Sequence, residues 1–169
     1  MKKTAIIYSF NTKKTAKIAE MIRDTFNDKS VEMVNAEDLT EEKFMAYEQC
    51  ILGVPTWFDG ELPNYWDEFI PALEDLDLKG KKYAVFGLGN QKDYPQNYQD
   101  GLGIMARLLE ELGGKVVGHT SARDYSFESS GALVDDNTFY GLAIDFETQG
   151  SKNKKRVQQW VETLKKSFE

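Results

Sequence analysis

Between Ser9 and Thr15 the chain places a serine, an asparagine, two threonines and two lysines with no acidic group, although its net charge is −7. Hydroxyls, an amide and ammonium groups this close together make a donor-rich turn. The turn stands between an apolar run, "AIIY", and a helical pattern, so it falls at a helix N-terminus. Free backbone N–H groups and the positive end of the helix dipole stabilise an anion there. It contains no glycine, so it is neither a dinucleotide fingerprint nor a Walker loop. It suits a terminal phosphomonoester better than a pyrophosphate, and a solvated turn is the plain alternative.

Two further loops carry flat side chains beside polar ones. "GVPTWFDGELP" follows a third apolar run and holds Trp57, which a half-buried packing role would also explain. "GLGNQKDYPQNYQDGLG" follows a fourth and holds Tyr94 beside Pro95, with several side-chain amides nearby. Aromatics from neighbouring loops can sandwich a flat ring through dispersion and π contact. A phosphate, a flat heteroaromatic ring and a polar linker between them describe flavin mononucleotide (FMN).

Composition removes other chemistries. Cys50 is the only cysteine and His119 the only histidine, so disulfides, thiolate cages, multi-histidine metal sites and a Ser/His/Asp triad are not expected. Cys50, in "CILGV", reads as a small apolar strand residue. Twenty-eight acids against 21 bases argue against nucleic acid and favour steering toward a basic protein. No uncharged apolar stretch approaches the ~20 residues of a membrane span, and "MKKTAIIYSF" is too short for a secretory signal. A cytoplasmic location and a mature N-terminus are therefore expected. At 169 residues the chain reads as a single domain spanning 1–169.

The elements that must position these loops alternate. "KTAIIYS" is a strand, and the helix after it buries Ile18, Ile22 and Phe26. "SVEMVNA" is a second strand, and "LTEEKFMAY" a short helix with Thr40 as its N-cap. "QCILGVP" is apolar without alternation, as where both sheet faces are covered. A helix with Trp66, Phe69, Ile70 and Leu73 on one face precedes the strand "KKYAVFGLG". The next helix presents Leu102, Met105, Leu109 and Leu112, and ends at Gly113 and Gly114. "KVVGHT" opens a fifth strand, and the last helix turns Val157, Trp160, Val161, Leu164 and Phe168 inward. Such β-α repetition predicts a parallel sheet with helices on both faces and ligands beyond the strands' carboxyl ends. About twenty polar, turn-rich residues, 121–139, interrupt the rhythm before "YGLAID" resumes as a strand; loops of that length are uncommon without a role.

"PTWFDGELP", "VFGLGNQKDYPQNYQDGLG", "ARDYSFESSGALVDDNTFYGLAID" and "RVQQWVETLKKSF" together resemble the flavodoxins over essentially the whole chain, and the inserted segment resembles the long-chain subgroup. The resemblance implies an α/β, flavodoxin-like, three-layer doubly wound fold: a five-stranded parallel sheet, order 2-1-3-4-5, with an insertion in the fifth strand. It implies non-covalent FMN and low-potential single-electron transfer between redox proteins, with no catalytic residues and no metal. By position, Phe10, Asn11, Thr12, Lys13, Lys14 and Thr15 become the phosphate loop. Thr56, Trp57, Phe58, Asp59 and Gly60 become the first flavin loop, with Trp57 on the inner ring face. Leu88, Gly89 and Asn90 line the ring edge, Tyr94 covers the outer face, and Asn97, Gln99 and Asp145 reach the ring or the ribityl chain.

The sequence departs from the family pattern in places. Phe10 stands where a hydroxyl would donate to the phosphate, a loss of about 1.5–3 kcal/mol unless Ser9 or Asn11 replaces it. Lys13 stands where glycine is usual; it is strained if that position needs positive φ, and otherwise adds a positive charge. Asn90 replaces a frequent aspartate, and Asp93 offers a negative charge nearby in its place. No glycine flanks the Phe58–Asp59 peptide, whose carbonyl is expected to turn toward the flavin N5. Asp59, Glu61, Asp67, Asp93 and Asp100 would ring the ring edge and meet basic partners, such as flavodoxin reductase-like donors and electron acceptors, with the carrier a monomer. The competing readings are an FMN-dependent NAD(P)H quinone or nitro reductase, which needs an open ring face, and a receiver domain, which needs acids where Ser9, Asn11 and Thr56 stand.

Overall fold

The computed structural model describes residues 2–169. Strands β1 (Lys2–Tyr8), β2 (Glu32–Asn35), β3 (Tyr47–Gly53) and β4 (Lys82–Leu88) pair in parallel, in the order β2-β1-β3-β4. The fifth position is divided. β5 (Lys115–Val116) pairs with β4 at Lys82 and Tyr83, and β9 (Leu142–Ile144) pairs with the same strand from Phe86 to Leu88. The order 2-1-3-4-5 with an interrupted fifth strand is therefore the one expected. The interruption is longer than the sequence suggests, because regular pairing with β4 ends at Val116 rather than at Thr120.

Helices cover both faces. α1 (Lys14–Phe26) and α6 (Asn153–Ser167) pack on one side, where Ile18, Ile22, Val157, Trp160 and Leu164 are buried against Ile6, Ile51 and Phe86. α2 (Glu41–Met45), α3 (Asn64–Glu74) and α4 (Asp100–Glu111) pack on the other, with Phe44, Trp66, Leu73, Leu102 and Met105 against Ile7, Leu52 and Val85. β3 and β4 are buried on both faces, so their sequences run apolar without alternating. Thr40 caps α2 by accepting from the Lys43 amide at 3.2 Å. Gly113 ends α4 at φ +96°, where a side chain would be strained.

The excursion 117–141 builds its own antiparallel sheet from β6 (Thr120–Ser121), β7 (Leu133–Asp135) and β8 (Thr138–Phe139), in the order β6-β8-β7. It returns to the main sheet at Gly141, which lies so close to the Val85 carbonyl that a Cβ would stand 1.8 Å from its oxygen. The short helix α5 (Phe146–Gln149) and a 3₁₀ turn then lead into α6.

Candidate functional site

A cleft of about 660 Å³ opens beyond the carboxyl ends of β1, β3 and β4, within the size range of sites for small organic ligands. Thr12, Lys13, Lys14 and Thr15 line one end. Pro55, Thr56, Trp57, Phe58, Leu88, Gly89, Asn90, Tyr94, Asn97, Tyr98 and Gln99 line the rest, and Glu147 stands at its wall.

The first end is the start of α1. Lys13 is the N-cap residue, its side chain caps nothing, and the first turn of the helix holds no acid. The leading amides of the helix thus stay available to an anion, and two ammonium groups add to the field. Lys13 has φ −97°, so glycine is not required and its lysine is unstrained. The Thr12 hydroxyl donates to the Ser9 carbonyl at 2.7 Å, which tightens the turn. Ser9 and Asn11 are committed elsewhere: Ser9 Oγ (2.5 Å) and Asn11 Nδ2 (2.6 Å) both donate to one carboxylate oxygen of Glu37. Phe10 is half exposed, its ring 5.0 Å from that of Tyr8, and its amide donates to Asn35 Oδ1. Phe10 and Asn11 are not on the cleft wall. Of the loop 10–15, only Thr12 to Thr15 line that end.

The first aromatic loop is a narrow hairpin in which the amides of Trp57 and Glu61 each donate to the other's carbonyl at 2.8 Å. Trp57 is held edge-on by Tyr65, centroids 6.0 Å apart. At the tip, Phe58 has φ +49° and Gly60 φ +92°. Phe58 is an aromatic residue in the left-handed region, which costs roughly 1–2 kcal/mol. Asp59 and Gly60 do not line the cleft; Asn97 Nδ2 donates to the Asp59 carbonyl at 3.2 Å and so ties the tip to the second loop. Gly60 packs beside the Asp100 carboxylate. The Thr56 hydroxyl accepts from the Gly101 amide at 2.9 Å, fixing this loop to the start of α4.

The second loop is shaped by Asn90, whose Oδ1 accepts from the amides of Lys92 (3.1 Å) and Asp93 (2.9 Å) and whose Nδ2 donates to Asp93. This Asx turn leads to Tyr94, which is 57% exposed and lines the same cleft as Trp57. The excursion clamps the loop from behind. Pro95 O accepts from the amides of Glu128 and Ser129 (2.8 and 3.0 Å), Gln96 O accepts from Ser129 Oγ, and Tyr98 O accepts from Ser130 Oγ. Gln99 is fully buried at φ +61°. Its Nε2 donates to the Ile144 carbonyl at 3.1 Å, while its Oε1 finds no donor at hydrogen-bonding geometry among the described residues. That oxygen is buried against Gly87, where an added Cβ would stand 2.3 Å from it, so Gln99 shapes the cleft wall from behind.

Asp145 does not reach the cleft. Its two carboxylate oxygens accept from the amides of Thr148 (3.0 Å) and Gln91 (2.9 Å), so it caps α5 and anchors the second loop. Pro55, Tyr98 and Glu147 line the cleft without having been singled out in the sequence. Glu147 follows the fifth strand, and the rule that ligands sit beyond strand ends points to that loop as much as to the other three. Tyr98 stands four residues after Tyr94 in the same loop and is almost wholly buried, which holds its phenol well above the usual range.

The arrangement can hold an anion at one end, a flat ring between two aromatic lips, and a polar chain between them. The residues present fit a group such as FMN. A family model described as Flavodoxin matches residues 6–160. Flavodoxin 1 of Escherichia coli is 37% identical over 161 residues, covering 95% of this chain and 92% of that one. The flavodoxin of Nostoc sp. is 37% identical over 167 residues, covering 99% and 98%. The crystal structure of Fusobacterium nucleatum flavodoxin bound to flavin mononucleotide superimposes with a TM-score of 0.92 at 31% identity, each chain covered in full. That of its K13G mutant, also bound to flavin mononucleotide, gives 0.93.

Proposed function

The chain belongs to the flavodoxin family, and from that premise we propose the roles its residues take in an FMN-binding electron carrier. FMN, when bound, supplies the redox chemistry, taking up and passing on electrons one at a time. The observation that carries the assignment is the single cleft joining the uncapped start of α1 to the lips bearing Trp57 and Tyr94.

Thr12 to Thr15 hold the phosphate through backbone amides, the Thr15 hydroxyl and the charge of Lys13 and Lys14. Trp57 and Tyr94 clasp the ring and exclude water from its faces. The backbone of Leu88, Gly89 and Asn90 reads the ring edge, and Gln99 supports that wall from behind. Phe58 turns its carbonyl to accept a hydrogen bond from the flavin N5, while Asn97 steadies the neighbouring peptide by holding the Asp59 carbonyl. Phe10, Asn11, Gly60 and Asp145 act through the loops they shape. Asp59, Glu61, Asp67 and Asp93 are exposed near the lips, where like charge opposes a second negative charge on the ring and attracts basic redox proteins.

We further assign the chain to the long-chain subgroup, on its interrupted fifth strand and structured excursion, and read it as a single-domain cytoplasmic monomer. The reductase reading is not favoured, because both lips of the cleft carry an aromatic side chain where an open ring face is needed. The purified protein is expected to be yellow and to bind FMN more tightly than riboflavin. A colourless protein that ignores both flavins overturns the assignment.

A further inference from the structure

Among the residues lining the cleft, Glu147 is the only acid, and its Oε1 accepts from the ammonium of Lys14 in an ion pair. Lys14 belongs to the phosphate end, and Glu147 reaches it from 133 residues away, in the short helix after the fifth strand. The turn carrying Glu147 is braced: Asp145 Oδ1 holds the Thr148 amide, Asp145 Oδ2 holds the Gln91 amide, and Gln91 Nε2 donates to Thr148 Oγ1 at 2.8 Å. The backbone therefore stays in place while the glutamate side chain, roughly 40% exposed, remains free to swing.

On the reading of the cleft as an FMN site, we propose that Glu147 contends with the cofactor phosphate for Lys14 and so sets how tightly, and how salt-dependently, this chain holds FMN. A phosphomonoester near neutral pH brings a charge of about −1.5 to −2. Lys13 and Lys14 together balance it, but with the carboxylate present the negative charge at that end exceeds the positive. Either Lys14 leaves Glu147 for the phosphate or it is shared; both cost affinity. The exposed pair contributes little to the fold, so its removal tests binding rather than folding.

In the full-length E147Q variant at low ionic strength, FMN is expected to bind about 3–10-fold more tightly than in the parent, with riboflavin affinity unchanged. The gain should shrink as salt rises and screens the site. Unchanged or weaker FMN binding overturns the proposal, as does an equal gain for riboflavin, which places the effect at the ring. Inorganic phosphate is a separate probe: millimolar phosphate should raise the melting temperature of E147Q more than that of the parent, and equal shifts overturn the proposal. If the parent binds neither flavin, the FMN reading fails, and the phosphate comparison still decides the role of Glu147.

Discussion

The ring of Tyr98 lies stacked on that of Phe127, centroids 5.4 Å apart and planes 22° from parallel. Tyr98 belongs to the second loop and Phe127 to the excursion, so the contact joins the two. Tyr125 and Phe139 complete the cluster around them. F127A removes a half-buried ring and should cost about 1–2 kcal/mol of stability. The loop carrying Tyr94 loses part of its backing, and FMN affinity is expected to fall about 3–10-fold. A thermal melt and a fluorescence titration measure the two effects; a stability loss with intact FMN affinity would show that the excursion serves the sheet alone.

Phe58 holds φ +49° at the hairpin tip. F58G removes that strain but frees the unfolded chain, by about 0.4–1 kcal/mol, so stability should change little. The neighbouring peptide becomes easier to turn. Since 59 mV is roughly a tenfold change for one electron, about 1 kcal/mol corresponds to ~40 mV. The first one-electron potential should rise by that order relative to the second, as read by spectroelectrochemical titration.

Lys13 sits at the N-cap with φ −97°. Glycine is tolerated there, so K13G should alter stability by less than about 0.5 kcal/mol. Loss of the cation should weaken FMN binding about 2–5-fold at low salt, with the difference vanishing near 1 M salt, where charges are screened within ~3 Å. Titrations at several ionic strengths give the answer.

Burial raises the Asp100 carboxyl above the ordinary 3.8, and the Gly131 amide and Arg107 only partly oppose it. A raised carboxyl binds its proton more tightly folded than unfolded. Its contribution to stability is complete below pH 3.8 and is lost as pH rises through the elevated folded value. D100N, which can still accept from Gly131, should therefore melt higher than the parent at pH 7, with the advantage disappearing toward pH 3.5. Melts across that range test the sign.

The alternation of strands and helices and the place of the cleft could be read from the sequence because they rest on local patterns: apolar runs for strands, four-residue spacing for helices, loops at strand ends. The strand order is non-local and followed from the family resemblance. The interruption of the fifth strand showed as a polar tract, although its starting point did not, since "VVGHT" is apolar enough to pass for a strand. Long-range pairing was hidden. Nothing near Ser9 and Asn11 announces that Glu37 takes both, and nothing near Asp145 that its carboxylate is engaged by Gln91 from another loop. Backbone conformation was half legible: the sequence left two outcomes for Lys13, and its φ decides between them. Glu147 was missed because a glutamate in a short polar turn carries no local mark of the lysine it meets across the fold.

The excursion leaves β4 after Val117, whose amide still bonds the Tyr83 carbonyl at 2.7 Å, and rejoins it at Leu142 opposite Phe86. Departure and return thus straddle only Ala84 and Val85 along one strand. The gap in the main sheet is short, but residues 118–141 are tied into the body of the protein, with Ala132 and Phe139 fully buried in the core that holds Val85 and Met105. A label at the exposed tip of the excursion, at Asp136, would leave the hydrogen-bonded spine of the molecule undisturbed and report from the neighbourhood of the aromatic lip.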